Sequence, residues 1–409
     1  MKNNIFLHCQ FARKKPSKWL GLSLALLIFA ACTPKNPYVR VIGATPDEDT
    51  CYAKGVSGAF CGLLDGHLIL AGGANFPWRP AAEGGGKRYY EAIYATSNNI
   101  FRRVNGLKEG ERPLKGGLTW QQVGVLPVPM AYGVSVSDDD GMVVVGGCNA
   151  AGGLSLAFRL NRRDGALHME QLPSLPFALD KMAGARLGNR IYVVGGLKDG
   201  QPSSSMYALD FNYGEWFECA PLPKARLQPV CVAQDGKLYV WGGYVQPTDS
   251  LGRVLGESCV VYADGYQYDP QADKWSPVAT PTTAEGHPLT LSGGAAVAWG
   301  DKEILAVGGV NRNVFLGGIQ GIFPMPDYLL HEPEWYRFNP NVMVYSTVTG
   351  QWRTLTQTSL TARAGASLVA MPVESSLLGG KSPTALLLGG ELKPGIRSTE
   401  VTMIGFAEE

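Results

Sequence analysis

The chain has 409 residues, 45% of them hydrophobic and 17% charged, with 36 basic and 35 acidic side chains. That balance excludes a disordered chain, which combines low hydrophobicity with high net charge, and argues against a nucleic-acid binder, which carries a basic excess. The 52 Gly and 27 Pro mark a turn-rich chain, and five His, none within four residues of another, make a His-built metal site a poor candidate.

The first segment reads as an address. Residues 1–31 hold Lys2, Arg13, Lys14, Lys15 and Lys18 and no acid. The apolar run over 19–31 is too short to span a bilayer as a helix. It ends in Ala30 and Ala31, directly before Cys32. Basic, then apolar, then small is the order of a secretory signal. The segment resembles a bacterial lipoprotein signal, in which the cysteine becomes the lipidated first residue, with Phe29 where Leu is usual. The alternative is an ordinary cleaved signal. The expected organisation is a signal over 1–31, a tether over 32–36 and a single domain over 37–409, carried in the bacterial cell envelope, lipid-anchored through Cys32 and facing the periplasm, or periplasmic. Export implies an oxidising compartment. Cys51, Cys61, Cys148, Cys219, Cys231 and Cys259 then either form disulfides, with Cys51–Cys61 and Cys219–Cys231 nearest in sequence, or remain buried thiols.

Beyond the address, one pattern recurs. Six Gly-Gly doublets each follow an aliphatic run: Gly72-Gly73, Gly146-Gly147, Gly195-Gly196, Gly242-Gly243, Gly308-Gly309 and Gly389-Gly390. They are separated by 74, 49, 47, 66 and 81 residues. The two shortest spacings match the kelch repeat of about 50 residues; the others read as that unit with insertions. Within the units a Tyr-bearing strand precedes a Trp that opens another strand, as at Trp120, Trp216, Trp275 and Trp352, while Leu167 stands in the Trp position of one unit. Four short strands per unit, bounded by Gly and Pro, predict a propeller blade. After Gly390 the chain offers one more strand, 400–406, and the missing outer strand is found at 38–46, which reads like 120–127. The predicted fold is therefore all-β: a six-bladed kelch-type β-propeller over 37–409, closed by an N-terminal outer strand.

Alternation of antiparallel strands places the residues after each doublet, and those before each inner strand, on one face. The large insertions, roughly 74–117, 244–262 and 310–341, all follow doublets and are predicted to wall a pocket there, since rigid scaffolds carry binding residues on loops. The candidate positions are Lys54, Tyr132, Lys181, Arg226, His287 and Arg363 before inner strands, and Asn75, Asn149, Asn311, Asn313, Glu391 and Arg397 after doublets. Cations and amides with one acid suit a small anionic, hydroxyl-rich ligand; the alternative is that they solvate a water-filled channel.

The stretch Gly389-Gly390-Glu391-Leu392-Lys393-Pro394-Gly395-Ile396-Arg397 resembles the signature of the kelch-type N-acetylneuraminate epimerases, the sialic acid mutarotases. Gly308-Gly309-Val310-Asn311-Arg312-Asn313-Val314-Phe315 is similar to a second stretch of that family, and Arg363-Ala364-Gly365-Ala366 and Ala131-Tyr132-Gly133-Val134-Ser135 also have counterparts. The order of blades looks cyclically permuted, and the insertion after Gly73 differs. The resemblance implies an isomerase that interconverts the anomers of sialic acid, with Glu391 as proton acceptor and Arg397 engaging the substrate. It leaves Arg363, Arg226, Asn311, Asn313, His287 and Asn75 as expected substrate-binding residues.

Anomer exchange of a cyclic 2-keto sugar acid needs a base at the anomeric hydroxyl and an acid at the ring oxygen, and no redox step, so no cofactor is expected. The expected partner is a small acidic sugar, with no nucleic acid, and with membrane contact only through the lipid at Cys32. Two other readings are weighed. Kelch propellers also serve as non-catalytic platforms for a glycan or protein partner, because fold does not fix function. A kelch-type copper oxidase needs a Cys, Tyr and His ligand set that His67, His168, His287 and His331 do not supply at recognisable spacing. A bland reading of Glu391 is a salt bridge to Arg397 that pins its loop, and Lys393 is expected to face solvent.

Overall fold

The computed structural model describes residues 37–97, 100, 117–138, 140–372 and 383–406. The expected signal, Cys32 and the tether lie outside them. The aliphatic runs before the doublets become the second strand of six antiparallel sheets. In chain order the first four sheets pair Phe60–Leu64, His67–Ala71, Ala92–Thr96 and Trp120–Val125; Val134–Asp138, Gly141–Val145, Ala157–Arg163 and Ala166–Gln171; Ala183–Leu187, Arg190–Val194, Met206–Asp210 and Glu215–Cys219; and Leu227–Gln234, Lys237–Val245, Gly265–Asp269 and Lys274–Val278. The fifth pairs Gly294–Trp299, Glu303–Gly308, Asn341–Ser346 and Gln351–Gln357. The sixth draws on both ends of the chain: Ser367–Met371, Thr384–Leu388, Glu400–Phe406 and then Pro37–Ala44. Tyr38 pairs with Gly405 and Ala44 with Glu400, so the N-terminal strand covers what would be an open edge.

A strand with neighbours packed on both faces reads as an unbroken apolar run. Thr384–Leu388 is such a case. Leu386 and Leu388 pack with Leu68 and Leu70 of the first sheet, whereas Ala385 and Leu387 pack with Leu305 and Val307 of the fifth. Six apolar clusters of this kind each join two consecutive sheets, and one of them joins the sixth to the first. Each fully buried aliphatic side chain in them contributes roughly 1.5–3 kcal/mol.

The tryptophans that open the outer strands act as staples between sheets. Trp275 Nε1 donates to Ala220 O at 2.9 Å, Trp352 Nε1 to Ala279 O at 2.9 Å, Trp216 Nε1 to Pro173 O at 2.7 Å and Trp120 Nε1 to Ala44 O at 2.7 Å. In each case the acceptor lies in or just past the outer strand of the preceding sheet.

The doublets bring backbone against backbone. The amide of Gly73 donates to Met130 O, of Gly147 to Leu179 O, of Gly196 to Arg226 O, of Gly309 to Arg363 O and of Gly390 to Val56 O. At Gly389, with φ 59°, an added Cβ would lie 2.4 Å from Val56 O, so only glycine fits. The six described cysteines, Cys51, Cys61, Cys148, Cys219, Cys231 and Cys259, are free. The disulfide pairing therefore does not hold, and the buried-thiol reading holds for Cys61, Cys148, Cys219 and Cys259, while Cys51 and Cys231 are only partly buried. Among the described residues no helix is long and apolar enough to cross a membrane.

Candidate functional site

One residue at the start of each inner strand has left-handed backbone: Gly58 (φ 63°), Tyr132 (61°), Lys181 (54°), Gln228 (48°), Gly293 (67°) and Gly365 (63°). Their amides form a cycle. Tyr132 N donates to Gly58 O, Lys181 N to Tyr132 O, Gln228 N to Lys181 O, Gly293 N to Gln228 O, Gly365 N to Gly293 O, and Gly58 N back to Gly365 O, at 2.7–3.0 Å. A cavity of about 280 Å³ is lined by residues of this cycle, Tyr132, Lys181, Gln228, Gly293 and Gly365, with Ser57, Ser292 and Ala364 beside them. The rest of its wall comes from segments that follow doublets: Lys87 and Tyr89, Cys148, Tyr244, Val310 and Phe315, and Glu391.

Glu391 is held from both sides. Its amide donates to Ala364 O at 2.6 Å and its carbonyl accepts from Ala364 N at 3.0 Å, which fixes it beside the entry to the sixth inner strand. Its strand, Glu391–Lys393, pairs with Ile396–Arg397 so that Glu391 and Arg397 are direct cross-strand partners. The carboxylate forms an ion pair with Arg397 Nη1; the Arg397 side chain is 1% exposed and that of Glu391 27%. Arg397 Nε donates to Ala74 O at 3.3 Å, and its guanidinium lies 5.5 Å from the centre of the Phe76 ring. Arg397 Nη2 is buried with no hydrogen-bond acceptor among the described residues. A carboxylate partly exposed on a cavity wall can take a proton from a ligand, and the guanidinium behind it balances the negative charge before the transfer.

The remaining cations of the wall are lysines. Lys181 Nζ lies 3.4 Å from the buried Asp180 carboxylate, and Lys87 Nζ lies 5.2 Å from the Tyr132 ring centre. Tyr132 Oη and Ser57 Oγ share a hydrogen bond of 2.9 Å. Burial and nearby Asp180 push the Cys148 thiol up to about 11, so it is protonated at neutral pH. Burial likewise holds the Tyr89 and Tyr244 phenols above the usual tyrosine range, with Cys148 adding to Tyr89 and Asp180 and Glu391 to Tyr244.

Several residues expected at the pocket sit elsewhere, which corrects the sequence reading. Arg363 is buried and donates to Leu360 O, Gly389 O, Glu400 O, Ser398 Oγ and Thr402 Oγ1. Desolvation lowers its guanidinium to about 10. Arg226 is its counterpart two sheets earlier. It is buried, donates to Gly242 O at 2.8 Å and faces Asp264 at 3.2 Å. Each arginine thus binds the first carbonyl of the doublet in its own sheet. Asn75 is equally committed. Its amide donates to Cys51 O and Gly55 O at 2.7 Å, and its oxygen accepts from Tyr90 Oη at 2.6 Å.

His287, Asn311 and Asn313 line a different cavity, of about 580 Å³, with Arg312 and Arg337. Asn311 has a local task. Its side chain accepts from Asn313 N and Val314 N and caps the helix Arg312–Ile319. That helix carries Phe315 into the wall of the first cavity, edge-on to Tyr244 at 5.0 Å. Lys393, expected in solvent, donates to His331 O at 2.6 Å and ties the Glu391 hairpin to the 310–341 insertion. Lys54 is exposed on a short turn of helix away from the lining.

Gln228, Lys87, Tyr89, Cys148, Tyr244 and Phe315 of the wall had not been singled out as ligand-binding. A signal for Gln228 exists in the repeats. The carbonyls that receive the doublet amides, at Val56, Met130, Leu179, Arg226 and Arg363, each lie two residues before a member of the cycle. Aligning the units on that carbonyl selects Gln228 instead of Arg226, and Gly365 instead of Arg363.

A sequence model of the N-acetylneuraminate epimerase family matches residues 37–167 and 172–409. Among similar proteins, the N-acetylneuraminate epimerase of Yersinia enterocolitica is 31% identical over 246 residues, covering 57% of each chain. That of Haemophilus influenzae (strain PittEE) is 31% identical, covering 56% of this chain and 57% of its own, and that of Brucella melitensis 29%, covering 58% and 59%. The chain thus spans a little under three fifths of the length of these curated relatives. A solved structure described as "Structure of YjhT" superimposes with a TM-score of 0.45 and 25% identity, over 57% of this chain and 64% of that one. With the family match extending over nearly all of 37–409, the chain belongs to the N-acetylneuraminate epimerase family.

Proposed function

We propose that this chain is a sialic acid mutarotase, converting one anomer of N-acetylneuraminate to the other by opening and reclosing the sugar ring. The observation that carries the reading is the partly exposed Glu391 carboxylate on the cavity wall, with the buried Arg397 behind it. In the proposed step Glu391 accepts the proton of the anomeric hydroxyl. The C2–O bond to the ring oxygen breaks, the carbonyl forms, and the ring oxygen takes up a proton returned through Glu391. Rotation about the bond to C2 presents the other carbonyl face, and the reverse sequence closes the ring. No electron is gained or lost. Arg397, buried behind Glu391 and off the cavity lining, balances the charge of Glu391 rather than touching the ligand in this arrangement.

The fold that would present this site is a six-bladed propeller closed by the N-terminal strand. The cycle of six amide bonds, the six inter-sheet clusters and the pairing of Pro37–Ala44 with Glu400–Phe406 support that reading. A cyclic permutation relative to the usual epimerases fits collinear matches that cover little more than half of each chain. The signal and Cys32 lead us to propose an envelope location, with a lipid anchor facing the periplasm. The test of the activity is a proton NMR time course of freshly released α-N-acetylneuraminate with and without the purified chain. Faster approach to the equilibrium anomer ratio is expected, and an unchanged rate refutes the assignment.

A second reading has one observation of its own. Ile322, Met325 and Leu330 of the 310–341 insertion are 66%, 62% and 59% exposed, which favours a platform for a protein partner. Failure of the chain to bind any acidic sugar would move the assignment there.

A further inference from the structure

The cycle of six left-handed residues is chemically lopsided. Gly58, Gly293 and Gly365 occupy three stations, and Tyr132, Lys181 and Gln228 the other three, consecutively. Left-handed backbone is free for glycine and costs a residue with a Cβ stability. The three side chains are therefore kept at stations where this fold elsewhere uses glycine. Tyr132 has a structural reason, its hydrogen bond to Ser57. Lys181 is only partly accounted for by Asp180. The Gln228 side chain has no hydrogen bond among the described residues, and Gln228 lines the cavity.

Position in the cycle adds a second argument. Glu391 is anchored to Ala364, next to Gly365. Counting along the amide bonds in either direction, the station three steps from Gly365 is Lys181, and Gln228 is its neighbour. A ligand whose anomeric centre meets Glu391 extends its far end toward these two side chains. An ammonium and a carboxamide there offer donors, and the carboxamide one acceptor. They match amide and hydroxyl oxygens, the groups that an acylated amino sugar acid carries away from its carboxylate.

We propose that Lys181 and Gln228 form the specificity edge of the cavity, holding the acylamino and hydroxyl end of the sugar opposite the Glu391–Arg397 pair. This rests on the mutarotase reading above. The stations themselves suggest the variants, because glycine is the residue this cycle uses elsewhere. Q228G should unfold at or above the temperature of the parent chain, since backbone strain is relieved, whereas K181G also gives up its ion pair with the buried Asp180 and is expected to unfold somewhat lower while staying folded at 25 °C.

Binding is measured by calorimetry with the methyl α-glycoside of N-acetylneuraminate, which cannot open its ring. Each variant is expected to bind about 10-fold more weakly, the effect of one lost hydrogen bond to a buried ligand group. In anomer exchange KM should rise while kcat changes little. Q228N, with a residue that tolerates left-handed backbone, guards against a folding defect and should also bind more weakly. Binding by both glycine variants within about twofold of the parent, with stability retained, overturns the proposal alone. A parent chain that binds no sialic acid glycoside overturns it together with the mutarotase reading.

Discussion

Replacing Glu391 by Gln separates the catalytic reading of this residue from the structural one. The side chain keeps its shape and one acceptor oxygen, but loses its charge and its ability to take a proton. Removal of a general base costs about 10²–10⁴-fold in rate, so anomer exchange should fall close to the buffer rate. The stability cost follows from the asymmetric burial of the pair, 1% exposed for Arg397 and 27% for Glu391. Stripping a buried pair of one partner costs about 3–5 kcal/mol when the other is left alone. Here the amide oxygen of Gln still accepts from the cationic Arg397, so the loss is that of an ion pair reduced to a hydrogen bond with one charged partner, about 1–2 kcal/mol. For a chain of this size that lowers the thermal midpoint by only about 1–3 °C, leaving E391Q folded at 25 °C. The assay pairs NMR anomer exchange with thermal unfolding followed by circular dichroism. Exchange within about threefold of the parent rate would falsify the base assignment. Loss of exchange together with loss of the folded state would instead mark Glu391 as a pin for its loop.

Three further outcomes are expected. R363M should lose about 3–5 kcal/mol in urea unfolding, because the buried guanidinium satisfies carbonyls of three segments that Met leaves unpaired; a loss below about 1 kcal/mol would contradict the clamp role. N311A should cost about 1 kcal/mol from the lost helix cap and weaken ligand binding through Phe315, whereas an unchanged affinity would mean that the helix holds its place without the cap. Alkylation of Cys148 should be slow at pH 7.5 and accelerate as pH rises toward about 11, where the thiolate forms; mass-mapped labelling that is already fast near neutrality would contradict the burial argument.

The amino-acid order alone carried the repeat. Six doublets behind aliphatic runs needed no tertiary information, because a strand packed on both faces must be apolar throughout and a Cβ added at Gly389 would lie 2.4 Å from a neighbouring carbonyl oxygen, which admits only glycine. Trp120, Trp216, Trp275 and Trp352 were readable for the same reason, a large side chain at a fixed offset, although what their indole N–H groups hold became visible only with the neighbouring sheet present. The pairing of Pro37–Ala44 with the C-terminal strand was legible from the likeness of 38–46 to 120–127.

What the order of residues does not specify is the direction a polar side chain takes once its backbone is fixed. Arg226, Arg363 and Asn75 look like pocket cations and amides on paper. In three dimensions each is surrounded by carbonyls from segments remote in sequence, and a buried donor goes where acceptors are. Gln228 shows the converse. Its residue type does not mark it in the linear chain, only its offset within the repeat does, and it reaches the cavity because its backbone occupies one station of the amide cycle. Glu391 and Arg397 stand between these cases. Their hairpin spacing is local, but the burial of one partner and the exposure of the other were decided by the elements that close over Arg397.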